Sequence, residues 1–211
     1  MARNTLSKKE LKELRKAGGG SPGGRKIVFL LVGLTVLAIL AIFGFAFLIT
    51  SGNGNVGGDA ENFTPNDRGL LPVGSQAPAF TAETVDGGKA SLGDSGDYRA
   101  TMLVFFASWC PHCNREAPII SDLKGEHRDL RVIMVGIDGR DDPEKVREFV
   151  DRYGIEGPAV YDRSLGSTYQ ATGYPTIYVI GGNDKIVAAH SGEAPKSVLD
   201  GWIEEAFGSN G

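Results

Sequence analysis

Cysteine and histidine are scarce in this chain: among 211 residues there are two cysteines, Cys110 and Cys113, and three histidines. That scarcity excludes a disulfide-stapled scaffold, which needs several spaced cysteines. It also weighs against structural zinc, which takes four ligands. Only His112, His127 and His190 could join the two cysteines, and His112 lies between them, aimed elsewhere on a helix. A basic patch with interleaved aromatics is missing outside the N-terminal arm, so nucleic acid is not an expected partner. No internal repeat occurs, which removes solenoids and propellers.

Charge is missing altogether from Ile27 to Thr50. As a helix this run reaches about 36 Å, enough to cross a hydrocarbon core of about 30 Å with some tilt. It exceeds the apolar region of about 7–15 residues found in secretory signals and lacks a clean A-x-A cleavage site. No cysteine near its end could take a lipid. A single-pass signal anchor over 27–50 is therefore expected. Residues 1–26 carry eight basic against two acidic side chains, whereas the whole chain is −4. The positive-inside bias predicts 1–26 as a basic cytoplasmic arm, with the acidic body outside the cell membrane. Disulfides persist on that side.

Residues 51–70 are rich in Gly, Asn and Asp, the composition of a flexible tether. The body, 71–211, opens with "AFTAETVDGGKASLGD", a hairpin turning at Asp86-Gly87-Gly88. "TMLVFFAS" (101–108) and "LRVIMVGID" (130–138) read as buried strands. A helix follows the cysteines to about Lys124. In "DPEKVREFVDRYG", Asp142 caps a helix, Pro143 fills its first turn and Gly154 ends it. "PTIYVIGGNDKIVAAH" turns through Gly181–Asp184 as a second hairpin, and "APKSVLDGWIEEAF" closes the chain as an amphipathic helix. The order predicts an α/β domain with a mixed sheet flanked by helices.

The candidate chemistry lies in "FFASWCPHCNRE". Residues three apart on a helix share a face, so Cys110 and Cys113 can meet if a helix starts at Cys110. Pro111 suits the first helical position, where its missing N–H leaves no helical bond unmade. Cys110 then sits where unpaired N–H groups and the helix dipole stabilise a thiolate, the attacking species in disulfide exchange. Cys113, one turn in, is expected to be more buried and to act as the resolving thiol. A structural disulfide closing so short a loop would add little stability.

"FFASWCPHC", with "VGSQAPAFTAETVDGGKASLGD" before it and "GYPTIYVI" after it, resembles the thioredoxin fold. More narrowly it resembles membrane-anchored thioredoxin-like thiol-disulfide oxidoreductases of the TlpA and ResA kind, in the redoxin/AhpC-TSA branch. The resemblance spans 73–207 and implies a thioredoxin fold with an N-terminal β-hairpin, preceded by one transmembrane helix. It implies that Cys110 attacks and Cys113 resolves, that Trp109 shields the sulfurs, and that Pro175 is cis. The backbone of Tyr174 would then bind an extended substrate segment. Glu116 matches the cleft acid of the reductases and would exchange a proton with Cys113. Two departures stand out: Val104 occupies the position of the buried acid of classical thioredoxins, and Tyr174 is bulkier than usual. The implied partners are exported protein disulfides or apocytochrome c, with a membrane electron donor of the CcdA or DsbD type and no cofactor.

The direction of electron flow is contested within the motif. Pro111 and His112 form the Cys-Pro-His-Cys of periplasmic disulfide oxidases, in which the dipeptide stabilises the reduced thiolate. The inserted helical domain of those oxidases has no room between Cys113 and Pro175. The scaffold favours a reductase acting in cytochrome c maturation or general disulfide reduction; an oxidase is the alternative. A Sco-like copper chaperone is a further one, with His190 as its distant ligand, although that family spaces its cysteines C-x-x-x-C.

Overall fold

Strand-forming and helix-forming runs alternate along the body, and each takes the structure its residues favour. The computed structural model describes residues 63–93 and 98–209. Strands β1 (Phe80–Glu83) and β2 (Lys89–Leu92) pair antiparallel as a separate two-stranded hairpin. Gly87 supplies the turn with φ 83°, and the Thr84 hydroxyl accepts from Gly88 N at 2.9 Å. The main sheet contains β3 (Ala100–Phe106), β4 (Leu130–Gly136), β5 (Ala159–Tyr161), β6 (Thr176–Gly181) and β7 (Ile186–Ser191). Its order is β5-β4-β3-β6-β7, with β3–β4 and β4–β5 parallel and the other two pairings antiparallel.

Helices α1 (Pro111–Glu126), α2 (Pro143–Tyr153), α3 (Arg163–Thr168) and α4 (Lys196–Gly208) connect and cover these strands. Asp142 caps α2 by accepting from Lys145 N, and Gly154 ends it in the left-handed conformation at φ 60°. A residue with a Cβ pays sterically for that conformation, whereas glycine does not.

Period-two alternation in the central strands divides the core in two. Met102, Val104 and Phe106 of β3 pack with Ile120 and Leu123 of α1, Phe149 of α2 and Ile203 of α4. Leu103 and Phe105 face the other way, onto the hairpin's Leu92 and onto Tyr169 and Tyr178. Central strands buried on both faces read as continuous apolar runs, which is why β3 and β4 were visible in the sequence. Truncating a buried side chain such as Ile120 to alanine would cost about 2–5 kcal/mol.

Three expectations change here. The tether predicted over 51–70 does not run to Leu71, because the chain docks from Phe63 onward. The Phe63 ring lies 4.9 Å from that of His190. Asn66 N donates to His190 Nδ1 at 2.8 Å, and Ser191 N donates to Asn66 O at 2.9 Å. β7 is an edge strand, and its unpaired backbone groups accept a segment whose composition alone reads as free. The strands read as 101–108 and 130–138 stop at Phe106 and Gly136, where the loops that carry the site begin. β5 and α3 went unread because three and six residues hold too few periods to register.

The arm, the apolar run 27–50 and residues 51–62 lie outside the described residues. No helix among the described residues is long and apolar enough to cross a membrane.

Candidate active site

The loop leaving β3 and the first turn of α1 carry both cysteines. Cys110 is the N-cap of α1, with extended backbone (φ −71°, ψ 122°), and Pro111 occupies the first turn. Asn114 holds this turn in place: its side-chain amide donates to Ser108 O at 3.0 Å and Cys110 O at 2.7 Å. Its oxygen accepts from the Tyr153 hydroxyl at 2.7 Å, which ties the turn to α2. On the other side Asp141 accepts from Ser108 N at 2.8 Å and Ser108 Oγ at 2.6 Å. The turn is thus fixed by side chains from two other elements.

Both cysteines are free thiols. Cys113 is the more buried, as expected, but by a narrow margin: Cys110 is 4% exposed and Cys113 3%. The loop that precedes β6 covers Cys110, so a helix N-terminus that is open in isolation is closed by tertiary structure. The Cys110 Sγ lies 3.6 Å from Tyr174 O and donates to it. The Tyr174–Pro175 bond is cis, as the resemblance implied. Burial pushes the Cys113 thiol well above the ordinary thiol range, and the neighbouring Cys110 adds to the shift.

Glu116 is on the same face of α1, one turn beyond Cys113, and only 1% exposed. Both of its oxygens accept from Ala194 N at 3.3 Å. Desolvation lifts its pKa to about 7, against the lowering effect of the Ala194 bond, and the charge of Glu193 adds to the rise. Glu116 is therefore a buried acid poised near neutral pH, the range in which acid–base groups work.

Trp109 is 43% exposed and stands edge-on to Tyr174, with ring centroids 6.1 Å apart. Asp138, which the sequence reading missed, organises this rim. It accepts from Trp109 Nε1 at 3.2 Å, the Tyr174 hydroxyl at 3.4 Å and Arg140 Nε at 3.0 Å. Arg140, bonded to Asp138, is the main cause that holds its carboxyl down to about 2. The Arg140 guanidinium also lies 3.3 Å from the Trp109 ring centroid, in cation–π contact. His112 is exposed and meets Glu193 rather than a sulfur. Asp138, Asp141 and Asn114 went unread because each acts through a partner far along the chain or through a loop.

Residues 73–189 match the AhpC/TSA family. The chain belongs to the AhpC/TSA family. Within it the chain is 28% identical to the thiol-disulfide oxidoreductase ResA of Halalkalibacterium halodurans, over 81% of this chain and 91% of that protein. It is 33% identical to the thioredoxin-like protein YneN of Bacillus subtilis, over 62% of this chain and 78% of YneN. Among solved structures, the thiol:disulfide interchange protein DsbE of Chlorobium tepidum superposes with TM-score 0.58 at 25% identity, covering 65% of this chain and 99% of that one. The fold is thioredoxin-like, and this family member is a thiol-disulfide oxidoreductase similar to ResA and DsbE proteins.

Proposed function

We propose that the protein is a membrane-tethered reductase of extracytoplasmic protein disulfides, with Cys110 and Cys113 as its redox couple. The observation that carries this reading is the buried Glu116, poised near neutral pH one helical turn from a resolving thiol that burial keeps protonated. The Cys110 thiolate attacks a substrate disulfide, forming a mixed disulfide and releasing one substrate thiolate. Cys113 then attacks Cys110 Sγ, freeing the second substrate thiolate, and its proton passes to Glu116. Before attack, the Tyr174 carbonyl accepts from Cys110; once the sulfur is bonded to substrate, that carbonyl is available to an extended segment.

The uncharged run 27–50 serves as the anchor, with the basic arm inside. Electrons come from a membrane donor of the CcdA or DsbD type, and the substrates are exported disulfides, apocytochrome c among them. The copper-chaperone reading loses support because both ring nitrogens of His190 are engaged, Nδ1 by Asn66 N and Nε2 by Glu193 O at 3.2 Å.

The test is redox equilibration of the full chain in detergent against glutathione, read by thiol alkylation and mass, together with insulin-disulfide turnover. A reducing potential with turnover is expected. A value near the most oxidising class, about −120 mV, would reverse the direction proposed.

A further inference from the structure

Glu193 stands in the loop between β7 and α4, immediately before the residue whose N–H holds Glu116. Its carboxylate meets two side chains from the start of α1. Arg115 Nε donates to Oε1 and Oε2 at 3.1 Å each, and Arg115 Nη2 donates to Oε1 at 2.5 Å. His112 Nδ1 closes on the same Oε1, and Arg115 Nη2 lies 2.8 Å from that ring nitrogen. On the loop side, the Glu193 carbonyl is held by His190 Nε2 at 3.2 Å.

Most exposed ion pairs contribute little to stability. The importance of this one is its place. Cys110 caps the helix on which His112 and Arg115 sit; the Arg115 pKa is raised chiefly by its bonds to Glu193, with the charge of Cys110 a lesser contribution. A cation beside a thiolate stabilises it, and a stabilised thiolate makes the dithiol form easier to reach, which is how an oxidant is made. Here one carboxylate, held by a fork of bonds, answers both α1 side chains. Freed from it, Arg115 would act on Cys110 without a competing carboxylate, and His112 would lose its acidic partner.

We infer that Glu193 is a positioning residue that sets the redox poise of the Cys110–Cys113 couple, offsetting the Arg115 charge and engaging His112, and so holding a Cys-Pro-His-Cys motif toward the reducing side. The inference rests on the reading that Cys110 and Cys113 are the couple. The equilibrium concerned is balanced: the Cys110–Cys113 disulfide and two glutathione thiols give the dithiol and glutathione disulfide, with two electrons and two protons transferred.

The experiment equilibrates the full chain in detergent with glutathione mixtures at fixed pH and quantifies dithiol by alkylation, for wild type, Glu193→Gln, Glu193→Asp and Arg115→Gln. Glu193→Gln is expected to raise the equilibrium constant for reduction about tenfold, about 30 mV toward the oxidising side. The pH of half-maximal Cys110 alkylation should fall with it. Glu193→Asp, which keeps the charge, should stay near wild type. Arg115→Gln, which keeps the carboxylate and removes the fixed cation, should move the constant the opposite way, and it provides the test if Glu193→Gln does not fold. Equal constants for wild type and Glu193→Gln, or equal shifts in the Gln and Asp variants, would overturn the inference while leaving the couple intact. A wild type that never forms the disulfide would instead overturn the proposed function beneath it.

Discussion

Two glutamates border the candidate site where α1 meets the loop before α4, and their surroundings give them opposite characters. Glu116 is buried, accepts from the Ala194 N–H, and is lifted by desolvation to about 7. Glu193 lies on the rim, and the Arg115 fork holds it below its ordinary value, with His112 adding to the effect. The two are tied through adjacent residues: the Glu193 charge raises Glu116, and Ala194 restrains it. One side chain thus titrates near neutral pH, and the other is held in its charged form. Residue type says nothing of which is which; solvent access and the nearest cation decide it.

The most severe way to break this comparison removes the attacking sulfur of the proposed couple. Cys110→Ser should reduce insulin-disulfide turnover to the uncatalysed rate, while Cys113→Ser should accumulate a mixed disulfide detectable by mass. Turnover surviving in Cys110→Ser would show that neither glutamate borders the reacting centre.

The second test is a pH series on stability. Folding raises the Glu116 pKa from 4.5 to about 7, so between those values the native state binds more protons than the unfolded one. The associated stability is fully present below pH 4.5 and is lost as pH rises through 7. The loss amounts to about 3 kcal/mol at most, at about 1.4 kcal/mol per pH unit. Glu116→Gln should flatten that part of the denaturation profile; an unchanged slope would mean that Glu116 titrates as an exposed acid.

Asp141 sharpens the contrast, because it too is buried yet receives two short bonds from Ser108. Asp141→Ala leaves the Ser108 N–H without its partner and should cost about 1–3 kcal/mol in urea denaturation. It should also loosen the turn carrying Cys110, seen as faster alkylation of the dithiol. The smallest effect belongs to Glu193. Its lowered pKa contributes stability that is present above the ordinary carboxylate range and lost as pH falls through the folded value. The pair is solvent-screened, so Glu193→Gln should cost less than about 1 kcal/mol in the same assay. A larger loss would give Glu193 a mainly structural role.

Much of this architecture was legible in the chain itself. β3 and β4 are seven-residue strands that are almost entirely buried, and a continuous apolar run is the direct record of that. Asp142, Pro143 and Gly154 mark the ends of α2 because capping and left-handed backbone are local requirements. The docking of residues 63–70 left no such record, since the edge of β7 that receives them lies more than a hundred residues away. Asp138 was equally hidden: it joins Trp109 and Tyr174 only once β4 lies beside β3 and the loop before β6 folds over.

By itself the sequence determined the strand and helix order and the placement of Cys110 and Cys113 one turn apart at a helix start, because these depend on spacing and local backbone preference; the cis proline was implied only by the family resemblance. Only the tertiary structure decided the electrostatics of the pair. Closure of the Tyr174 loop over Cys110, burial of Glu116 and delivery of Glu193 to Arg115 and His112 all bring together residues from distant segments. Charge interactions depend on distance and on exclusion of water, and neither is fixed until the chain has folded.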